Sequence, residues 1–426
     1  MYVKSITDRG VLLWLIILSL ATCGTVLAKT EIIHFDYTSH GPAYVQFLEE
    51  RAQEFEALYD VEITFITGNQ DKFEVMAVAG TPPDVVDLPA LDLGTWVAQD
   101  YFLDLRPYLE NSEYKNAINP LLLGHSTSSS GVLYQIPKSM NPVLSYFNRD
   151  LFREVGVPTP QELGDGWTWE AALDAGKKLT LDRDGDGVPE QFGMDRPLPQ
   201  IEWAVHQAGG RFYDDFVTPK VSLWNTPEVI RAVNYVLEIF RNKMAPQYVV
   251  SAPAQYYYWT GKTAMSLNDG PGIIGAYMKQ APFDWDLTQQ PKGPVGRATR
   301  IAIEGYLIPK ESQVADLAWK WVEFLILKPE NAVAFTRLTG MLPAHSVAQN
   351  SYGSIAGITD KNWMAIMEQL NDPTSYDGYI LDRRINPRWL TGTFAEVWNG
   401  TTAPEQFVEK MQAQTQAILD EINSSK

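Results

Sequence analysis

The chain has 426 residues, 45% of them hydrophobic and 20% charged. It is long enough for two or three packed units and too apolar for a disordered polymer. Its formal net charge of −18 repels nucleic acid and anionic lipid, which argues against a polyanion-binding role.

Residues 1–28 read as an export signal. Lys4 and Arg9 are basic, residues 11–20 are apolar, and Val26-Leu27-Ala28 supplies a cleavage pattern. The apolar run is short for a membrane span. Cys23 is the only cysteine, so no internal disulfide can form. Leu20-Ala21-Thr22-Cys23 also approaches a lipobox, with Thr22 as the departure. Cleavage after Ala28 is preferred, because lipidation at Cys23 leaves only a short tether before the first strand near Ile32. Either route implies a periplasmic or cell-surface protein.

Residues 31–35 then form a buried-type strand. A helix follows from Pro42, with Tyr44, Leu48, Phe55 and Tyr59 on one face, and residues 61–66 alternate as a second strand. Strand, helix, strand predicts a parallel sheet. A short helix over residues 72–79 leads through Gly80-Thr81-Pro82-Pro83 into a short buried strand before Asp87. Open α/β sheets bind ligands beyond the carboxyl ends of their strands, which points to residues 37–40 and to Asp87.

A new region opens at residues 131–137, and residues 142–147 are strand-like. Thr168 caps a helix running to about Leu179, and Asn225 or Thr226 caps another over residues 227–243. Residues 315–327 are helical, with Pro329 punctuating the end. Residues 404–422 form an amphipathic helix with Phe407, Met411, Ile418 and Ile422 on one face. No flexible linker separates the halves, so two lobes joined by short crossovers fit better than independent beads.

Asp182, Asp184, Asp186 and Gly187 match the opening of a calcium loop, but Gly193 stands where a bidentate carboxylate belongs, and Glu190 is the nearest substitute. A tight Asp/Gly turn accounts for the same residues and is preferred, with calcium as the weaker reading. Gly261-Lys262-Thr263 ends like a phosphate loop, but Tyr256 replaces its first glycine. Gly124-His125-Ser126-Thr127-Ser128 lacks the second glycine of a nucleophile elbow. Carboxylates are plentiful, so a glycosidase pair stays open as a rival. Tyr37, Trp203, Tyr306 and Trp389 fall near predicted strand ends. Such rings can pack on the C–H face of a sugar, or simply fill core.

Taken in order, these segments resemble the extracellular solute-binding proteins of ABC importers, in the sugar-binding group with maltose- and glycerol-phosphate-type members. The residues that carry the resemblance are Ala79-Gly80-Thr81-Pro82-Pro83-Asp84-Val85, Tyr146-Phe147-Asn148-Arg149-Asp150-Leu151-Phe152 and Trp167-Thr168-Trp169-Glu170. Asp184-Gly185-Asp186-Gly187, Gly261-Lys262-Thr263-Ala264-Met265, Gly340-Met341-Leu342-Pro343 and Val397-Trp398-Asn399-Gly400 complete the series. Members often carry the Asp/Gly turn and the G-K-x-A-M segment, which accounts for both decoys.

The resemblance implies an α/β, two-lobe periplasmic-binding-protein fold of type II, a Venus flytrap with three interlobe crossovers. The crossings are expected near residues 136–142, 302–305 and 340–344. Lobe I would comprise residues 29–138 and 303–341, and lobe II residues 139–302 and 342–426. The implied ligand contacts are Tyr37, Ser39, Asp87, Ser139, Asn141, Asp269, Gly270, Glu304, Tyr306, Arg388 and Trp389, with Trp203 a looser match. Gly272 stands where many sugar binders have an aromatic and Met341 where some do; losing a stacking platform weakens the case for a maltodextrin and leaves room for a smaller or more polar ligand. The implied protein is a non-enzymatic, monomeric carrier without a cofactor. It would close on a carbohydrate or polyol and deliver it to the transmembrane subunits of a permease. A secreted glycosidase and a sensory sugar binder are the rivals.

Overall fold

The computed structural model describes residues 29–37, 40–88, 96–97, 99–128, 130–195, 201–215, 219–246, 258–376, 384–386, 390 and 394–424. The export signal, Cys23, Ser39, Arg388 and Trp389 lie outside these residues. Strand β1 (Thr30–Tyr37) is flanked in parallel by β2 (Val61–Gly68) and β3 (Val85–Val86). The register runs from Thr30↔Val61 to Tyr37↔Gly68 on one side and places His34 opposite Val85 on the other. The first crossover is helix α1 (Pro42–Tyr59), which begins on a proline, where the missing N–H costs nothing. It buries Tyr44, Phe47, Leu48 and Phe55. Tyr59 at its last position is 41% exposed and not part of that face. Helix α2 (Gln70–Val78) starts at Asn69, whose side chain accepts from the Lys72 N–H.

A second sheet has the order β6-β7-β5-β8, built from β5 (Leu144–Asn148), β6 (Phe192–Met194), β7 (Thr263–Asp269) and β8 (Trp285–Thr288). β5 runs antiparallel to β7 and β8, whereas β6 and β7 are parallel. Around this sheet pack α3 (Trp169–Lys178) and α5 (Pro227–Arg241), with α4 (Glu202–Gln207) between them in the chain. Thr168 caps α3 by accepting from the Ala171 N–H. Thr226 occupies the cap position of α5 without a side-chain bond.

Between the sheets lies a third, of order β10-β4-β9: β4 (Ile136–Pro142), β9 (Ile301–Tyr306) and β10 (Leu342–Pro343). The three stretches expected to cross between halves therefore pair with one another, all antiparallel. Val143 separates β4 from β5 because the Thr299 hydroxyl brackets it, accepting from its N–H and donating to its C=O, both at 3.0 Å. The predicted strand over residues 142–147 is thus two strands.

After β9 the chain enters α6 (Ala315–Val322), whose last turn widens into a π turn at Glu323–Leu327. Pro329 opens the next helix, α7 (Pro329–Thr339), so it begins an element as well as limiting the previous one. Helix α8 (Pro404–Ser424) closes the described chain, with Phe407 and Met411 buried and Ile418 and Ile422 packed more loosely on the same cluster.

Candidate functional site

β4 brings the ends of both outer sheets together. On one side, Lys138 reaches the carboxyl ends of β1 and β3; on the other, Leu144 of the next strand pairs with Asp269 at the end of β7. Asp87, the first residue beyond β3, is fully buried and accepts Lys138 Nζ at 2.5 and 2.7 Å. The Tyr44 hydroxyl also donates to Asp87, and lies 2.6 Å from the Tyr306 hydroxyl. The Lys138 ammonium stands 4.3 Å from the Tyr44 ring centroid and 5.5 Å from that of Tyr306, within cation–π range. Charges this deep are tolerated only when paired and hydrogen-bonded, and this set supplies both conditions.

His40 lies over the cluster. Its Nδ1 is 3.6 Å from Asp36 and 3.5 Å from Asp87, and its Nε2 is 3.2 Å from Glu304. The Tyr37 ring meets it edge-on at 5.3 Å. Burial and the Lys138 charge pull the His40 pKa down, but the Asp87 and Asp36 carboxylates and the hydrogen bond to Glu304 outweigh them, raising it to about 9. The imidazolium is therefore the resting form at neutral pH. His34, one layer deeper, accepts the Trp321 indole N–H at 2.9 Å, and burial lowers its pKa to about 4. Asp36, His40 and Asp87 bring one ligand atom each within 4.8 Å of the others. The cations those acids require are already present in Lys138 and His40.

At the far end of β4, Asn141 Oδ1 accepts from the Gly272 N–H at 3.2 Å. Gly270 backs onto the same side chain so closely that a Cβ would lie 2.3 Å from Asn141 Oδ1. Its glycine identity thus serves packing at this junction. Asp269 accepts the Ser266 hydroxyl at 2.6 Å, and burial raises its pKa to about 6. Glu304 pairs across the ladder with Ser139, and its side chain is 21% exposed.

The expected contacts therefore divide. Asn141, Asp269 and Gly270 gather where β4 meets the end of β7, and Tyr37, Asp87, Ser139, Glu304 and Tyr306 where it meets the first sheet. Asp87 and Tyr306 are fully buried there, and their polar groups are engaged with Lys138 and Tyr44. Trp203 sits elsewhere, buried in α4 and edge-on to Tyr235 at 6.0 Å. Beside it Glu202 is raised to about 7 by burial, against the opposing pull of Arg300. Sequence reasoning missed Asp36, Tyr44 and Lys138. Lys138 gave no signal of its own, because Ser139 and Asn141 make the stretch look polar and only packing supplies the carboxylate that a buried lysine needs.

The Asp/Gly loop lies on the exposed surface. Asp182 accepts from the Gly185 and Gly187 N–H groups at 2.7 and 2.8 Å, and both glycines have positive φ. The turn is accounted for by these bonds. Asp182, Asp184, Asp186 and Glu190 nevertheless keep ligand atoms within 4.8 Å of one another.

The profile of a family described as bacterial extracellular solute-binding protein matches residues 50–363. A Brucella abortus sequence named only as a binding protein is 24% identical over 273 residues, 63% of this chain. The chain spans just under two thirds of that relative, 64% of its length. A maltooligosaccharide ABC transporter solute-binding lipoprotein of Streptococcus pneumoniae is 22% identical over 340 residues, covering 77% of this chain and 76% of the relative. Among solved structures, an ABC substrate-binding protein from Listeria monocytogenes in complex with cycloalternan superposes with a TM-score of 0.78 at 22% identity. That superposition covers 93% of this chain and 99% of the other. The architecture shared with it is two α/β lobes joined by crossing strands.

Proposed function

This chain belongs to the bacterial extracellular solute-binding proteins, and on that premise we propose that it captures a carbohydrate or polyol between its lobes and hands it to an ABC permease. The observation that carries the reading is the hinge sheet, which draws the ends of two separate α/β sheets together along β4. Ligands of such sheets bind beyond strand ends, and pairs of lobes close by bending where strands cross. The named ligands of the Streptococcus and Listeria relatives, maltooligosaccharide and cycloalternan, support a saccharide.

In this reading lobe I is residues 29–138 and 303–341, lobe II residues 139–302 and 342–426. Tyr37, Ser39, Ser139, Asn141, Asp269, Gly270, Glu304, Arg388 and Trp389 contact the ligand, while Asp87 and Tyr306 support them from behind. The protein works outside the cytoplasmic membrane as a monomer, and releases its ligand unchanged. A thermal-shift screen against mono- and oligosaccharides tests it, since a ligand that binds only the folded state raises the melting temperature. No stabilisation by any sugar would refute the reading. Product formation from an oligosaccharide would favour the glycosidase rival instead.

A further inference from the structure

β4 carries one residue too many. Its ladder with β9 pairs Pro137 with Gly305 and Ser139 with Glu304, leaving Lys138 without a residue opposite. A bulge of this kind re-aims the side chain of the extra residue. Lys138 is aimed into the end of the first sheet, its side chain fully buried, with its ammonium on Asp87. An apolar side chain would fill that space without the cost of stripping water from a charge.

The contacts continue outward. Asp87 Oδ2 lies 3.5 Å from His40 Nδ1, and His40 Nε2 lies 3.2 Å from Glu304. The side chains of Asp36, His40, Asp87 and Lys138 are all below 5% exposed, and only Glu304 opens outward. Glu304 stands directly across the ladder from Ser139, the residue after the bulge. We propose that Lys138 is a positioning residue for ligand capture: bulged out of β4, it fixes Asp87 and His40 so that the His40 ring holds the Glu304 carboxylate ready for a ligand hydroxyl. The proposal rests on the saccharide-binding reading above.

The groups that face His40 are Asp36 and Tyr37 from β1, Tyr44 from α1, Asp87 after β3, Lys138 from β4 and Glu304 from β9, with His34 behind them. Three carboxylates outweigh one ammonium, and the proton stays on the ring. Lys138 Nζ lies 3.4 Å from His40 Nε2 and works against that proton. Removing the ammonium should therefore make His40 hold its proton more tightly.

The test is a double-mutant cycle on the full mature chain, with affinity for the best saccharide of the screen read by calorimetry. Lys138→Met and Glu304→Gln should each weaken binding about tenfold, and the double variant should bind no worse than the weaker single one. Additive losses would overturn the proposal, because the two residues would then act independently. NMR titration of the His40 ring supplies a readout that packing alone does not move: its pKa should rise in Lys138→Met, and an unchanged value counts against the proposal. Lys138→Met takes from buried Asp87 the cation nearest to it, so Asp87→Asn/Lys138→Met serves as the second variant. It should recover the melting temperature but not the affinity, and recovery of both would reduce Lys138 to a structural role. If the wild-type chain binds no saccharide, the functional reading falls and takes the proposal with it. If the wild type binds and the losses add, only the proposal falls.

Discussion

His34 and His40 are six positions apart and titrate in opposite directions. His34 is pushed to about 4 by burial, so the unfolded chain binds a proton that the folded chain refuses. Its contribution to stability is present above the ordinary value of 6.5 and is lost as pH falls from there through about 4. His40, raised to about 9, contributes fully below 6.5 and loses that contribution as pH rises through about 9. Urea midpoints across this range should show the acid limb flattened in His34→Gln and the alkaline limb in His40→Gln. Asp269 makes a different prediction. With its pKa raised to about 6, an acceptor role for its carboxylate requires ligand affinity to climb as pH rises through about 6. Asp269→Asn should abolish that slope and cost ~2–3 kcal/mol in binding by calorimetry. An equally sloped profile in the variant would remove Asp269 from the site. Asp87 was legible in the sequence because a strand end precedes it. Lys138 was not, because the partner of a buried lysine is fixed only by tertiary packing.

At the scale of elements, α1, α2, α3, α5 and α8 and the first two strands were legible from periodicity and caps. The failures have local causes. The strand predicted across residues 142–147 breaks at Val143, where a distant threonine replaces the ladder partner. The helix predicted through residue 327 ends in a wider turn, which apolar spacing does not distinguish from an α turn. The bulge at Lys138 is invisible to a two-residue alternation until the partner strand is known. The tightness of the hinge ladder can be measured. A Cβ on Gly305 would lie 2.2 Å from the Ile136 carbonyl oxygen, and one on Gly270 2.7 Å from that of Pro142. Gly305→Ala and Gly270→Ala should each destabilise by ~1–3 kcal/mol in urea melts. Gly124→Ala, with no atom within 4 Å of the new methyl group, should be neutral or slightly stabilising.

For the whole molecule, the two α/β halves and their three crossings came from the family resemblance, because no apolar periodicity of residues 136–142 marks a crossing by itself. The site was less readable, since its members come from five segments that only the fold brings together. If the lobes close on ligand, small-angle scattering should show the radius of gyration shrinking on saturation with the saccharide that stabilises most. An unchanged curve would argue against closure.

The middle strand of the hinge sheet also bears on biosynthesis. β4 is made early, at residues 136–142, but its neighbours arrive only with residues 301–306 and 342–343. A nascent chain halted before residue 301 exposes both edges of that strand, and neither half can be completed from its own contiguous stretch. The hinge sheet thus stays unfinished, and its middle strand available to a holding chaperone, until about four fifths of the chain has left the ribosome.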